Sequence, residues 1–167
     1  MKTIDTKGCT FTFNPLATKS FNQNISMCEC SSCRNFRIMV KERHPELQDF
    51  LNQFQVEEDK SDEIFWWVQN PSEKIINYNV YYSIVGYASC DNKYPIKLGL
   101  LNIFVQQPSL VDIDDESVEP YFVFEVKDII LPWSPQIDCE NVFDFNTQKH
   151  PSWQTIKEWT KGFCKKS

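Results

Sequence analysis

From Asn77 to Tyr87 the chain alternates without interruption: Tyr78, Val80, Tyr82 and Ile84 fall on one side of an extended strand, and Asn79, Tyr81, Ser83 and Val85 on the other. A period of two, rich in aromatic and β-branched residues, specifies a strand rather than a helix. Further runs carry strand signals at Ile64 to Val68, Ile75 to Ala88, Ile96 to Val105 and Tyr121 to Val126. Breakers at Asn70-Pro71, Cys90-Asp91-Asn92 and Pro108 separate them. The pattern predicts a mainly antiparallel sheet of about five strands, spanning about residues 64–133, with one side exposed or facing a ligand.

Helical spacing occupies the stretch before this sheet. Cys33, Phe36, Met39 and Val40 repeat with a helical period after Ser31 or Ser32, either of which suits a helix cap. Pro45 closes that helix and fits the first position of another, in which Leu47, Phe50, Leu51 and Phe54 line one face. A helix pair is therefore expected over about 32–54. Upstream, Thr10 to Phe13 and Phe21 to Met27 read as two short strands of an opening hairpin. At the other end, Trp153, Ile156, Trp159 and Phe163 predict a C-terminal helix over about 151–164, packed on the sheet and followed by basic Lys165-Lys166. The expected fold class is α+β, one domain over residues 1–167.

Hydrophobic residues make up 41% of the 167 and charged residues 24%, so a core can form without a metal or disulfide to hold it. Acidic residues outnumber basic ones by 23 to 17, for a net charge of −6, which disfavours a nucleic-acid partner. The N-terminus has no signal-peptide core, and no run approaches the ~20 apolar residues that span a bilayer. These features predict a cytoplasmic protein without a membrane partner. In that compartment the seven cysteines, at 9, 28, 30, 33, 90, 139 and 164, are expected as thiols or metal ligands.

The densest chemical feature is Cys28-Glu29-Cys30-Ser31-Ser32-Cys33, at a junction into a helix. A C-x-x-C turn presents two sulfurs to one zinc ion, Cys28 supplies a third, and Cys9, Cys90, Cys139 or His44 is available as a fourth. The same Cys30 and Cys33 at a helix start, near Arg34 and Arg37, also suit a redox dithiol. The plainer alternative, preferred on sequence alone, is small thiols packing a helix start, with no cofactor. Arg34, Arg37 and Lys41 share a helix face that either holds an anion, pairs with the acidic connector 57–63, or faces water. Asp112, Asp114, Asp115 and Glu116 lack the glycine and spacing of a calcium loop. The two histidines, His44 and His150, each precede a proline at a helix start and read as local turn residues rather than general bases. The chain contains neither a nucleophile elbow nor a zincin motif, and four glycines leave little for a phosphate-binding loop. Aromatic pairs remain: in an extended chain Trp66-Trp67 and Tyr81-Tyr82 point to opposite sides, so one of each pair is a candidate for a binding surface.

Cys28-x-Cys30-x-x-Cys33-Arg34-Asn35-Phe36, then Pro45-Glu46-Leu47-x-x-Phe50-Leu51, and late in the chain Leu131-Pro132-Trp133, resemble segments of a family of small uncharacterised bacterial proteins. The resemblance covers roughly residues 25–133 and implies a bacterial cytosolic origin and a helix-pair-plus-sheet layout, without a mechanism. This sequence departs from the family at Gln55-Val56-Glu57, where a glycine–isoleucine–aspartate turn is usual, and continues some thirty residues past Trp133. The leading expectation is a non-catalytic binding or interaction module of the immunity or accessory-protein kind, with an unknown protein or small ligand as partner. The alternative is a zinc-binding or thiol-redox protein using Cys28, Cys30 and Cys33.

Overall fold

A computed structural model describes residues 1–90, 95–107, 120–138 and 142–143. The chain opens with a hairpin of β1 (Lys2–Thr6) and β2 (Cys9–Phe13). Its two-residue turn, Lys7-Gly8, has positive φ at both positions (48° and 79°), the left-handed geometry that matches the twist of paired strands. The hairpin therefore lies earlier than expected. Residues 21–27 do not pair with β2, because Asn14-Pro15 starts a helix rather than a loop. Asn14 accepts a hydrogen bond from the Ala17 N–H (3.2 Å), Pro15 occupies the first turn, and α1 runs Pro15–Gln23.

Helix α1 escapes an apolar-period reading because its buried residues are polar. The Thr18 hydroxyl accepts from Val85 N–H (3.1 Å), and Asn22 bridges the Lys60 carbonyl (2.9 Å) and the Glu57 N–H (3.2 Å). Leu16, by contrast, is exposed. Helices α2 (Ser31–Arg43) and α3 (Pro45–Asn52) fall where the apolar repeat put two helices. The residue capping α2 is Cys30 rather than a serine, and it makes no side-chain cap bond.

Strands β3 (Glu63–Asn70), β4 (Ile75–Cys90), β5 (Ile96–Leu98), β6 (Leu101–Gln106) and β7 (Tyr121–Pro132) complete the sheet. All pairings are antiparallel, in the order β1-β2-β4-β7-β6-β5, with β3 also on β4. Among the described residues the sheet has seven strands: five lie between Glu63 and Pro132, where 96–105 folds back at Gly99-Leu100 into two, and the N-terminal hairpin joins them with two more. Strand β4 is its axis. One edge pairs with β7, and the other is shared end to end by β3 (through Ile75–Tyr81) and β2 (through Gly86–Cys90). At the β2 crossing Gly86 has φ +149°, and a Cβ there would lie 2.3 Å from the Thr12 carbonyl oxygen. Strand β7 carries a bulge opposite Asn79, where Asp128 adopts φ 57° and its N–H donates to Asn79 Oδ1 (3.1 Å).

The alternation read along β4 is the division between two faces: Tyr78, Val80, Tyr82 and Ile84 are buried, and 79, 81, 83 and 85 are half-buried. The inner face receives the helices. Phe54 meets Phe11 (5.3 Å between centroids), Phe13 (5.2 Å), Phe50 (5.4 Å) and Phe124 (4.9 Å), and Phe36 packs on Tyr78 (5.4 Å). Edge and tilted contacts of this kind add to what burying the rings already contributes. The helix expected over 151–164 and the acidic run at 112–116 lie outside the described residues. Among the described residues no helix is long and apolar enough to cross a membrane.

Candidate metal centre

The Sγ atoms of Cys28, Cys30 and Cys33 all lie within 4.8 Å of one another. Cys33 is buried, and Cys28 and Cys30 are half-buried. The local sequence produces this convergence by folding the chain before α2 across the start of the helix. The Cys30 carbonyl accepts the Arg34 N–H (3.0 Å), which begins the helical ladder and sets Cys33 in its first turn. Arg37, further along α2, reaches back: Nη1 donates to the Cys28 carbonyl (2.7 Å) and Nη2 pairs with Glu29 Oε1 (3.3 Å). The sequence thus supplies both the three sulfurs and the clamp that holds their segment against the helix start. With zinc–thiolate bonds of about 2.3 Å, sulfurs of a tetrahedral site sit roughly 3.8 Å apart. The observed group is within a small contraction of that spacing. The positive end of the helix dipole at the start of α2 adds potential that favours thiolate.

Behind the sulfurs lies a buried polar knot. The Tyr78 hydroxyl donates to the Ser32 carbonyl (3.1 Å) and accepts from Asn35 Nδ2 (2.9 Å). Burial drives its pKa well above the ordinary tyrosine value; negative charge on Cys33 and Cys30 pushes the same way, and the Asn35 bond opposes them. Asn35 also donates to the Pro132 carbonyl (3.3 Å) and accepts from Ser134 N–H (2.7 Å). One carboxamide therefore ties the cysteine segment to the Leu131-Pro132-Trp133 segment, almost a hundred residues later in the chain. Trp133 is in turn fixed by its indole N–H to the Ile137 carbonyl (2.8 Å).

Other sequence candidates are placed as follows. Cys9 and Cys90 face each other across β2 and β4 and form a disulfide, with Cα atoms 4.2 Å apart. This corrects the expectation of thiols at these two positions and removes both as a fourth ligand, because strand register had already brought them together. His44 sits at the far end of α2 with Nδ1 on Glu46 Oε1 (3.2 Å). Cys139, Cys164 and His150 lie outside the described residues. Arg37 and Lys41 are engaged, Lys41 with Asp59 Oδ2 of the acidic connector (2.8 Å), while Arg34 is exposed.

The paired aromatics divide between the two faces. Tyr82 is buried inside, donating to the Glu58 carbonyl (2.6 Å), and Trp66 packs against the core. Trp67 is 44% exposed on the outer face. Tyr81 lies on that face too, donating to Glu125 Oε1 (2.7 Å) and packed edge-on against Phe65 (5.5 Å). Burial raises the Tyr81 pKa well above its usual value, with the hydrogen bond to Glu125 and the charges of Glu125 and Glu63 adding to the effect. Glu125 is buried; besides Tyr81 it takes Lys127 Nζ (3.1 Å) and Gln106 Nε2. Ser134 and Glu125 were not singled out from sequence, and Tyr78 and Asn35 were named there only as a strand position and a motif residue, not as parts of this site. Only Asn35 carried a signal, as a polar residue inside an otherwise apolar helical repeat.

Compared with protein-family models, with curated proteins and with solved structures, the chain gives no match.

Proposed function

We propose that this chain is a non-catalytic interaction module whose helix-to-sheet joint is held by one zinc ion on Cys28, Cys30 and Cys33. The observation that carries this reading is the convergence of three sulfurs from a six-residue stretch, clamped by Arg37. Packing alone calls for buried thiols against aliphatic side chains, and does not call for three sulfurs facing one another with two of them half-buried. The half-buried Cys30 with Cys33 buried behind it also suits a dithiol switch; what favours a metal is the third sulfur, Cys28, in the same 4.8 Å group. The metal would lock the segment before α2 onto the helix start, and through Asn35 keep the late Pro132–Ser134 stretch in place. The working surface of such a module is the outer sheet face, where Phe65, Trp67 and Tyr81 lie. Kinship with the small bacterial cytosolic proteins described above belongs to the same proposal, supported by the direct contact between the segments that carry the resemblance.

Metal analysis of protein purified without added zinc tests it. About one zinc per chain is expected, falling to background in Cys30→Ser and Cys33→Ser. Cobalt substitution provides a second readout independent of those variants' folding, as thiolate-to-cobalt charge-transfer absorption. Cys139→Ser reports whether that residue completes the shell: loss of metal identifies it as the fourth ligand, and full retention leaves the fourth position to water or another group. Metal-free protein whose Cys30 and Cys33 cycle between dithiol and disulfide would replace the zinc reading with the redox one.

A further inference from the structure

Strand β3 stands at an open margin of the sheet. Among the described residues it pairs with β4 alone. The rest of that margin of β4 is closed. Between the ends of β3 and β2, the Val85 carbonyl accepts the Asn14 N–H (2.9 Å) and the Val85 N–H donates to Thr18 Oγ1 (3.1 Å). The two terminal strands of the sheet carry features that discourage pairing with another chain. Strand β1 is polar, with Lys2, Thr3 and Asp5 exposed, and β5 is three residues long with an exposed lysine, Lys97, at its centre. Strand β3 has neither protection. Its eight residues include no lysine, arginine or proline, and its ladder to β4 is regular from Glu63 to Val68.

The side chains at this edge give a second, independent sign. Ile64, Trp66 and Val68 lie on the helix-bearing side of the sheet, opposite Val80, Tyr78 and Ile76. Those three β4 residues are fully buried, whereas each of their β3 neighbours is only half-buried. The apolar layer therefore runs out to β3 and is not closed there. On the other side of the strand, Trp67 is 44% exposed and Phe65 half-buried.

We infer that β3 is the interface between two copies of this chain, joined antiparallel, edge to edge, so that two sheets become one. A two-fold axis perpendicular to the sheet sets an edge against itself in the antiparallel sense and leaves each side facing the same way. Only residues of the same side then stand opposite one another, which leaves few registers. Centred on Trp66, Ile64 faces Val68 of the partner subunit, Phe65 faces Trp67 of the partner subunit, and Trp66 faces its own counterpart. Apolar residues meet apolar residues on both sides, as cross-strand pairing favours. Centring on Phe65 would set Glu63 against a tryptophan, and centring on Trp67 would set Ile64 against an asparagine. In the Trp66 register the one charged residue of the strand, Glu63, lies about 20 Å from its counterpart, beyond the Debye length at physiological salt. The edge is thus complementary to itself, which is why the occupant is a second copy. This goes beyond the metal-held module and does not depend on the zinc ion.

Sedimentation equilibrium of the full chain tests the inference, and twice the chain mass is expected. Trp67→Lys places a charge at a position 44% exposed in the single chain, so the fold, followed by circular dichroism, should persist. Association should weaken about tenfold or more. Leu100→Lys, at the 91% exposed tip between β5 and β6, should remain dimeric. With p-benzoylphenylalanine in place of Trp67, irradiation should give a product of dimer mass that joins two copies of the tryptic peptide 61–74. A wild-type chain that stays monomeric overturns the proposal, as does a dimer that survives Trp67→Lys or dissociates in Leu100→Lys. A crosslink from 61–74 to any other segment, of either copy, also overturns it by giving the edge another occupant. Zinc content of the same samples keeps the two readings apart: a monomer with one zinc per chain fails only this inference, and a metal-free dimer fails only the metal centre.

Discussion

Asn35 is fully buried and makes three hydrogen bonds, to the Tyr78 hydroxyl, the Pro132 carbonyl and the Ser134 N–H. Replacing it leaves three buried polar groups to lose partners at once, and each costs about 1 kcal/mol or more. Asn35→Ala is expected to lower unfolding free energy by about 3 kcal/mol in chemical denaturation, without altering the three clustered cysteines. Glu58 presents the opposite case. It is 3% exposed, and its Oε2 has no hydrogen-bond partner among the described residues. Burial raises its pKa above the usual carboxylate value; its own backbone N–H and Lys41 oppose this, and Asp59 and Glu57 reinforce it. Between the ordinary and the raised pKa the native chain holds a proton that the unfolded chain has released. Glu58 therefore favours folding below the ordinary carboxylate range, and this contribution is lost as pH rises through the native pKa. Glu58→Gln should raise the thermal midpoint near neutrality and leave it unchanged at acidic pH, where both side chains are neutral. Neither residue declared its role in the sequence. The partners of Asn35 lie 43 to 99 positions away, and Glu58 reads there as one more charge in an acidic connector.

Elements were legible where their period was apolar. Helices α2 and α3 and strands β3, β4 and β7 each bury a side that repeats with the period of their structure, so position in the sequence predicted position in space. Helix α1 buries Thr18 and Asn22, which leave no apolar stripe, and Asn14-Pro15 looks alike as a strand break or a helix start. The Cys9–Cys90 bridge was hidden for a different reason: cross-strand register belongs to a pair of strands and cannot be read from either alone. The bridge closes a loop with a sequence separation of 81, for which chain entropy gives up to about 4.5 kcal/mol of stabilisation. Cys9→Ala with Cys90→Ala is expected to lose much of that under oxidising conditions and little under reducing ones. The comparison is made by thermal unfolding with and without a reductant. The candidate metal centre was legible as a list of ligands; its clamp was not, because the Arg37 guanidinium reaches the Cys28 carbonyl only once α2 has formed.

At the scale of the whole molecule, strand order and chain order diverge. The hairpin and β3 both depend on β4, which comes after them, and β7, the last described strand, fills the middle of the sheet between β4 and β6. During synthesis Phe11, Phe13, Leu47, Phe50 and Phe54 leave the ribosome before the strands that will cover them exist. A nascent chain halted before Tyr121 would present two open strand edges, on β4 and on β6, each a template for pairing with another chain. The sheet is thus most vulnerable just before it is finished, and its biogenesis depends on the prompt arrival of one twelve-residue strand.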